Sequence, residues 1–150
     1  MQELKVGLPA RDFEAVDQNG NKVKLSDFRG KTVVLYFYPK DDTPGCTAEA
    51  CSFRDDYGNL KEAGIVVLGV SADSMESHKK FEKKHTLNFT LLTDKERKII
   101  EAYGVKGPFG TAKRVTYLID KEGKVRHIWS KVHAKGHSGE VLAKVKDLGL

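Results

Sequence analysis

Thr32-Val-Val-Leu-Tyr-Phe-Tyr38, Pro39-Lys-Asp-Asp-Thr-Pro-Gly-Cys-Thr-Ala-Glu-Ala-Cys51 and Ile65-Val-Val-Leu-Gly-Val70 together decide the fold. The first run is continuous, β-branched and aromatic, as expected of a strand buried on both faces, and Pro39 ends it. A helical stretch follows from about Pro44 to Ala63, with Gly64 in the position that closes helices. Ile65–Val70 is a second strand of the buried type. Strand, helix, strand in that order is a βαβ unit, so the two strands are expected to run parallel in an α/β fold.

Outward from this unit the patterns are plain. Phe13–Val16 and Val23–Leu25 flank Asn19-Gly20, a strong hairpin turn signal. Asp73-Ser-Met-Glu76 and Thr93-Asp-Lys-Glu96 each resemble a capping box, opening helices to about His85 and Tyr103. Arg114–Ile119 and Val125–Trp129 form a second hairpin across Asp120-Lys-Glu-Gly-Lys124. A final helix over about Ser138–Leu148 puts Val141, Leu142, Val145 and Leu148 on one face. The plan is hairpin, βαβ, helices, ββα, in one domain over residues 1–150.

Composition narrows the function. Hydrophobic residues make up 39% and aromatics 9%, which excludes a disordered chain. The longest apolar stretch, Val33–Tyr38, is far short of the roughly 20 residues a membrane span needs. Residues 1–8 show neither an apolar core nor a cleavage site, so the expected location is the cytoplasm. The net charge of +5 is uneven, with 9 Lys/Arg against 12 Asp/Glu in residues 1–75 and 17 against 9 in residues 76–150. Basic residues sit among acids without aromatic interleaving, so Lys79-Lys80 and Lys83-Lys84 read as an exposed helix face, and no nucleic-acid or membrane partner is expected. The five histidines read as surface residues, Trp129 and Phe109 as core or site-wall packing, and Gly104–Gly110 as a loop beside the site.

Chemistry concentrates at the two cysteines. The segment 39–51 leaves the C-terminal end of a buried strand, where open α/β sheets place reactive groups. Thr43-Pro44 reads as N-cap then first helical residue, which puts Cys46 inside the first turn. The partial positive charge there favours thiolate over thiol. Asp41, Asp42 and Glu49 oppose it, so a cation from elsewhere in the fold is required. Cys51 lies five residues on; in an intact helix the Cα atoms stand about 8.7 Å apart, and a disulfide spans at most about 6.8 Å. The pair can join only if the helix start unwinds, which suits a switch rather than a staple. Three other readings stay open: two inert small hydrophobes, a metal site, and a dithiol oxidoreductase acting on protein disulfides. C-x₄-C lacks a second ligand pair for zinc, and its spacing is longer than the C-x-x-C of dithiol oxidoreductases. A non-enzymatic basic binding or chaperone-like protein is the rival from another class.

Pro39, Thr43 and Cys46 stand in a P-x-x-x-T-x-x-C pattern, and Thr-Pro-Gly-Cys-Thr-x-Glu-x-Cys extends it to Cys51. Together with Gly69-Val-Ser71 and Arg114-Val-Thr-Tyr-Leu-Ile-Asp120, these motifs resemble the peroxiredoxins of the Q type, or bacterioferritin comigratory proteins, over nearly the whole chain. The resemblance implies a thioredoxin-like fold, three layers around a central mixed sheet, with an added N-terminal β-hairpin. It implies thiol-dependent reduction of hydrogen peroxide and organic hydroperoxides, with no cofactor and no metal. Cys46 would attack the peroxide, Thr43 and the Cys46 N–H would bind oxygen, and Arg114 would be the missing cation. Pro39 would screen the site, Glu49 would orient Arg114, and Cys51 would resolve the sulfenic acid as a disulfide. Thioredoxin would then reduce that disulfide, on an enzyme expected to be a monomer or a weak dimer.

Overall fold

A computed structural model of the chain describes residues 4–150; residues 1–3, part of the leader reading, lie outside the described residues. The hairpin forms as its turn signal demands. β1 (Glu14–Asp17) and β2 (Lys22–Lys24) pair antiparallel with Ala15 opposite Val23, and Gly20 supplies the positive φ of +84° that the turn needs. β3 (Thr32–Phe37) is buried at every position and pairs in parallel with β4 (Ile65–Ser71). Between them the single helix expected over residues 44–63 is two: α1 (Pro44–Asp55) and α2 (Tyr57–Glu62). The break falls at Asp56, whose carboxylate accepts the Ser138 hydroxyl at 2.6 Å. Periodicity within residues 44–63 carries no trace of that distant partner.

α3 (Met75–His85) begins one residue later than its apparent capping box. Ser74 is the N-cap and its hydroxyl accepts from the Ser77 N–H, because the Asp73 carboxylate is already taken by the Ser71 hydroxyl and the Asp41 N–H. The second apparent box is not a helix start. Thr93 ends a strand, β5 (Thr90–Thr93), parallel to β4 and antiparallel to β1. The helix expected to run on to Tyr103 is confined to Lys98–Ala102 (α4), with Asp94 accepting the Ile100 N–H at 2.7 Å. β6 (Val115–Ile119) and β7 (Val125–Trp129) form the second hairpin, and α5 (His137–Leu148) closes the chain.

The seven strands make one mixed sheet in the order β2-β1-β5-β4-β3-β6-β7. Side chains alternate across β3, so Val33, Leu35 and Phe37 join one core with Tyr103, Val115 and Tyr117. Val34, Tyr36 and Tyr38 join the other, with Cys46, Phe53, Phe81 and Val141. Trp129 lies in that second core, as expected, whereas Phe109 is 89% exposed and walls nothing. Two histidines depart from the surface reading. His78 and His137 are wholly buried, His137 between the Thr116 hydroxyl at 2.9 Å and the Glu140 carboxylate at 3.0 Å.

Candidate active site

β3 delivers the chain to the site and α1 carries the thiol. Tyr38 leaves the sheet with its N–H on the Val70 carbonyl, half-buried Pro39 follows, and Asp42 turns the backbone through the left-handed region at φ +58°. Thr43 is the N-cap of α1 and Pro44 its first residue. The Thr43 hydroxyl makes no cap bond; it donates to the Lys40 carbonyl at 2.8 Å. Cys46 sits in the first turn, 1% exposed, where helical N–H groups have no intrahelical acceptor. Cys51 is half-buried on the same unbroken helix, and both cysteines are free.

A cation from a distant segment, Arg114, stands beside Cys46. From the residue preceding β6 it reaches across to α1, with Nη2 3.3 Å from Cys46 Sγ and Nη1 2.7 Å from Glu49 Oε1. A planar guanidinium presents its donors in a rigid fork, so one group meets both partners in a fixed geometry. Burial works against its charge, but Cys46 and Glu49 outweigh burial and raise the Arg114 pKa. Glu49 is fully buried, and this burial, only partly offset by Arg114, pushes its carboxyl up to about 7. Glu49 Oε2 and the Tyr36 hydroxyl beneath it make no hydrogen bond among the described residues. The other acids near Cys46 are also matched. Asp42 holds Lys84 at 2.7 Å and His85 at 2.9 Å, and Asp41 is bonded to Tyr38, Ser77 and His78.

Cys46, Glu49 and Arg114 therefore meet, Thr43 occupies the N-cap position of their helix without a side-chain cap bond, and Pro39 stands at the strand exit; Cys51 is not joined to Cys46. One contributor carried no chemical signal in the sequence. A Cβ on Gly45 would lie 2.9 Å from Arg114 Nη2, so the bare glycine is the gap through which the guanidinium reaches the sulfur. In Gly45→Ala the helix-propensity gain of at most about 1 kcal/mol is opposed by the bond to buried Glu49 that a displaced Arg114 gives up, so folding stability is expected unchanged or lower. The substitution should slow the reaction of Cys46 with peroxide about tenfold by displacing Arg114. Thermal unfolding alongside single-turnover kinetics checks both halves; an unchanged rate would mean that Arg114 re-seats without loss.

Residues 6–128 match the AhpC/TSA family. The chain belongs to that family. Within the AhpC/TSA family it is 49% identical to Peroxiredoxin Bcp of Bacillus subtilis over 97% of each chain. Among solved structures, peroxidoxin BcpB of Mycobacterium tuberculosis superposes with a TM-score of 0.90 at 34% identity, covering 97% of this chain and 98% of that one. The bacterioferritin comigratory protein of Xanthomonas campestris, whose structures concern its alkyl peroxide reduction activity, superposes at 0.89 with 32% identity, covering 97% and 100%. This AhpC/TSA chain is thus a peroxiredoxin, a thiol peroxidase on a thioredoxin-like α/β fold, and its substrate class is a peroxide reduced at the expense of a thiol. No helix among the described residues is long and apolar enough to cross a membrane.

Proposed function

We propose that Cys46 is the peroxide-attacking thiolate and Cys51 its resolving partner, in a cycle closed by thioredoxin in the cytoplasm. The observation that carries this reading is the Arg114 guanidinium 3.3 Å from Cys46 Sγ. The thiolate attacks the terminal, OH-bearing peroxide oxygen; the S–O bond forms as the O–O bond breaks, the sulfur becomes a sulfenic acid and the other oxygen leaves as alkoxide or hydroxide. Arg114, the Cys46 N–H and the Thr43 hydroxyl, turned from the Lys40 carbonyl, stabilise the charge developing on oxygen. Glu49 keeps Arg114 aimed, and Pro39 limits access of water. Hydrogen peroxide and organic hydroperoxides both meet this requirement, the latter in keeping with the alkyl peroxide activity of the Xanthomonas protein. The Cys51 thiol then displaces water from the sulfenic acid, and an external dithiol reduces the Cys46–Cys51 disulfide.

The resolving step needs movement. Both cysteines lie on one regular helix, and a separation of about 8.7 Å between their Cα atoms exceeds the reach of a disulfide. The first turns must unwind, which loosens the packing of Phe53, wholly buried and stacked at 4.9 Å on Tyr36. Unwinding also returns the buried Glu49 carboxyl to water. Amide hydrogen exchange is expected to show lower protection over residues 44–53 in the disulfide form than in the dithiol form. Equal protection in both would mean that the sulfurs meet without local unfolding. Cys51→Ser should reduce one equivalent of peroxide at the wild-type rate and then stall with thioredoxin and its reductase; sustained turnover would remove Cys51 from the cycle.

A further inference from the structure

The chain entering α1 is fastened by a buried polar cluster with no part in the cycle above. Asp41, five residues before Cys46, is 7% exposed. Its Oδ1 accepts the Tyr38 hydroxyl at 2.6 Å; its Oδ2 accepts the Ser77 hydroxyl at 2.8 Å and lies 2.7 Å from His78 Nδ1. Its backbone N–H donates to Asp73 Oδ2 at 2.9 Å, which also accepts the Ser71 hydroxyl at 2.6 Å. His78 is wholly buried, and its Nε2 lies 3.0 Å from the Leu92 carbonyl. A carbonyl only accepts, so Nε2 carries a proton. The short contact at Nδ1 joins α3 to the loop before Cys46.

We propose that the Asp41–His78 pair is a positioning device for the peroxide reaction, a proposal that rests on Cys46 being the attacking thiol. Thr43 offers α1 no side-chain cap, so the direction in which the helix starts is left to the loop. Asp42 holds an unfavoured left-handed conformation, which a non-glycine residue keeps only where its surroundings over-determine it. Asp41 supplies that constraint on one side, and Lys84 with His85, from the same helix as His78, supplies it on the other. Position and tilt of the Thr43 hydroxyl and the Cys46 N–H follow from it. Loss of the Asp41–His78 bond shifts these oxygen-binding groups relative to the sulfur without removing any of them.

The test uses two isosteric replacements. His78→Asn keeps a donor where Nδ1 stands and gives up the Leu92 carbonyl; His78→Gln keeps a donor where Nε2 stands and gives up Asp41. Two rates are measured by stopped flow on the reduced protein: oxidation of Cys46 by hydrogen peroxide and its alkylation by iodoacetamide, which needs the thiolate but no oxygen-binding groups. Expected for His78→Gln is a ten- to hundredfold loss in peroxide rate, of the order produced by a misplacement of about 1 Å, with alkylation changed less than about threefold. His78→Asn is expected within about threefold of wild type in both. Equal loss in both variants, an unimpaired His78→Gln, or a parallel fall of both rates overturns the proposal. Should either His78 variant fail to fold, Ser77→Ala, which removes one donor from Asp41 near the surface, decides: a selective fall in peroxide rate supports positioning, and an unchanged ratio of the two rates overturns it. A wild-type protein whose Cys46 is not oxidised by peroxide refutes the cycle itself, whatever the His78 variants do.

Discussion

Cys46→Ser is expected to abolish peroxide turnover, a loss of at least about a thousandfold, because a serine hydroxyl at neutral pH is a far poorer nucleophile than a thiolate. The fold is expected to survive. Cys46 is 1% exposed and serine is slightly smaller, so the cavity created is small. The serine oxygen can accept from Arg114 Nη2 as the sulfur does at 3.3 Å, and the Arg114–Glu49 bond at 2.7 Å needs no help from residue 46. A destabilisation within about 1.5 kcal/mol is therefore expected alongside complete loss of activity. Peroxide consumption with dithiothreitol as reductant and urea unfolding measure the two. Residual turnover well above background would identify another nucleophile, and Cys51 is the one to examine first.

Arg114→Ala is expected to slow Cys46 oxidation by about a hundredfold or more, the usual effect of removing one preorganised donor to a developing oxyanion. It also strands Glu49. In the intact site burial already raises the Glu49 carboxyl from 4.5 to about 7 against the pull of Arg114. The unfolded chain holds this proton less tightly, so the wild type loses stability as pH rises from about 4.5 to 7, by about 3 kcal/mol, and nothing further from this group above that range. Without Arg114 the folded carboxyl moves higher still, and its part of the loss continues above pH 7. The difference in stability between wild type and Arg114→Ala should therefore widen from pH 7 to pH 9, at up to about 1.4 kcal/mol per pH unit. Glu49→Gln should flatten the wild-type dependence between pH 4.5 and 7. Urea unfolding across this range decides, and a gap that stays constant or narrows above pH 7 would show Glu49 already ionised with or without its partner.

Several elements were legible from residue order because their causes are local. Asn19-Gly20 forces the first turn, the β-branched run from Thr32 forces a buried strand, and Thr43-Pro44 starts a helix wherever the rest of the chain goes. β5 escaped notice because four residues, Thr90–Thr93, are too few for a periodic signal and Thr93 imitates an N-cap. The buried face of α3 offered a clue, since His78 stands three residues before the buried Phe81 and so on the same side.

By itself, the sequence determined a βαβ unit with a cysteine in the first turn of its helix, a second cysteine too far along that helix to bond without unwinding, and a need for a distant positive charge. Each follows from spacing along one element, where backbone geometry is known in advance. The resemblance named Arg114, but only the tertiary structure shows its guanidinium beside Cys46 at the gap left by Gly45, Glu49 wholly buried behind it, and His78 facing Asp41 beneath the entry to α1. Those contacts join residues 37 to 69 positions apart in the chain, brought together by the packing of β6 and α3 around β3. Burial, which sets the protonation of Glu49, is a property of what covers a residue and not of its neighbours in sequence.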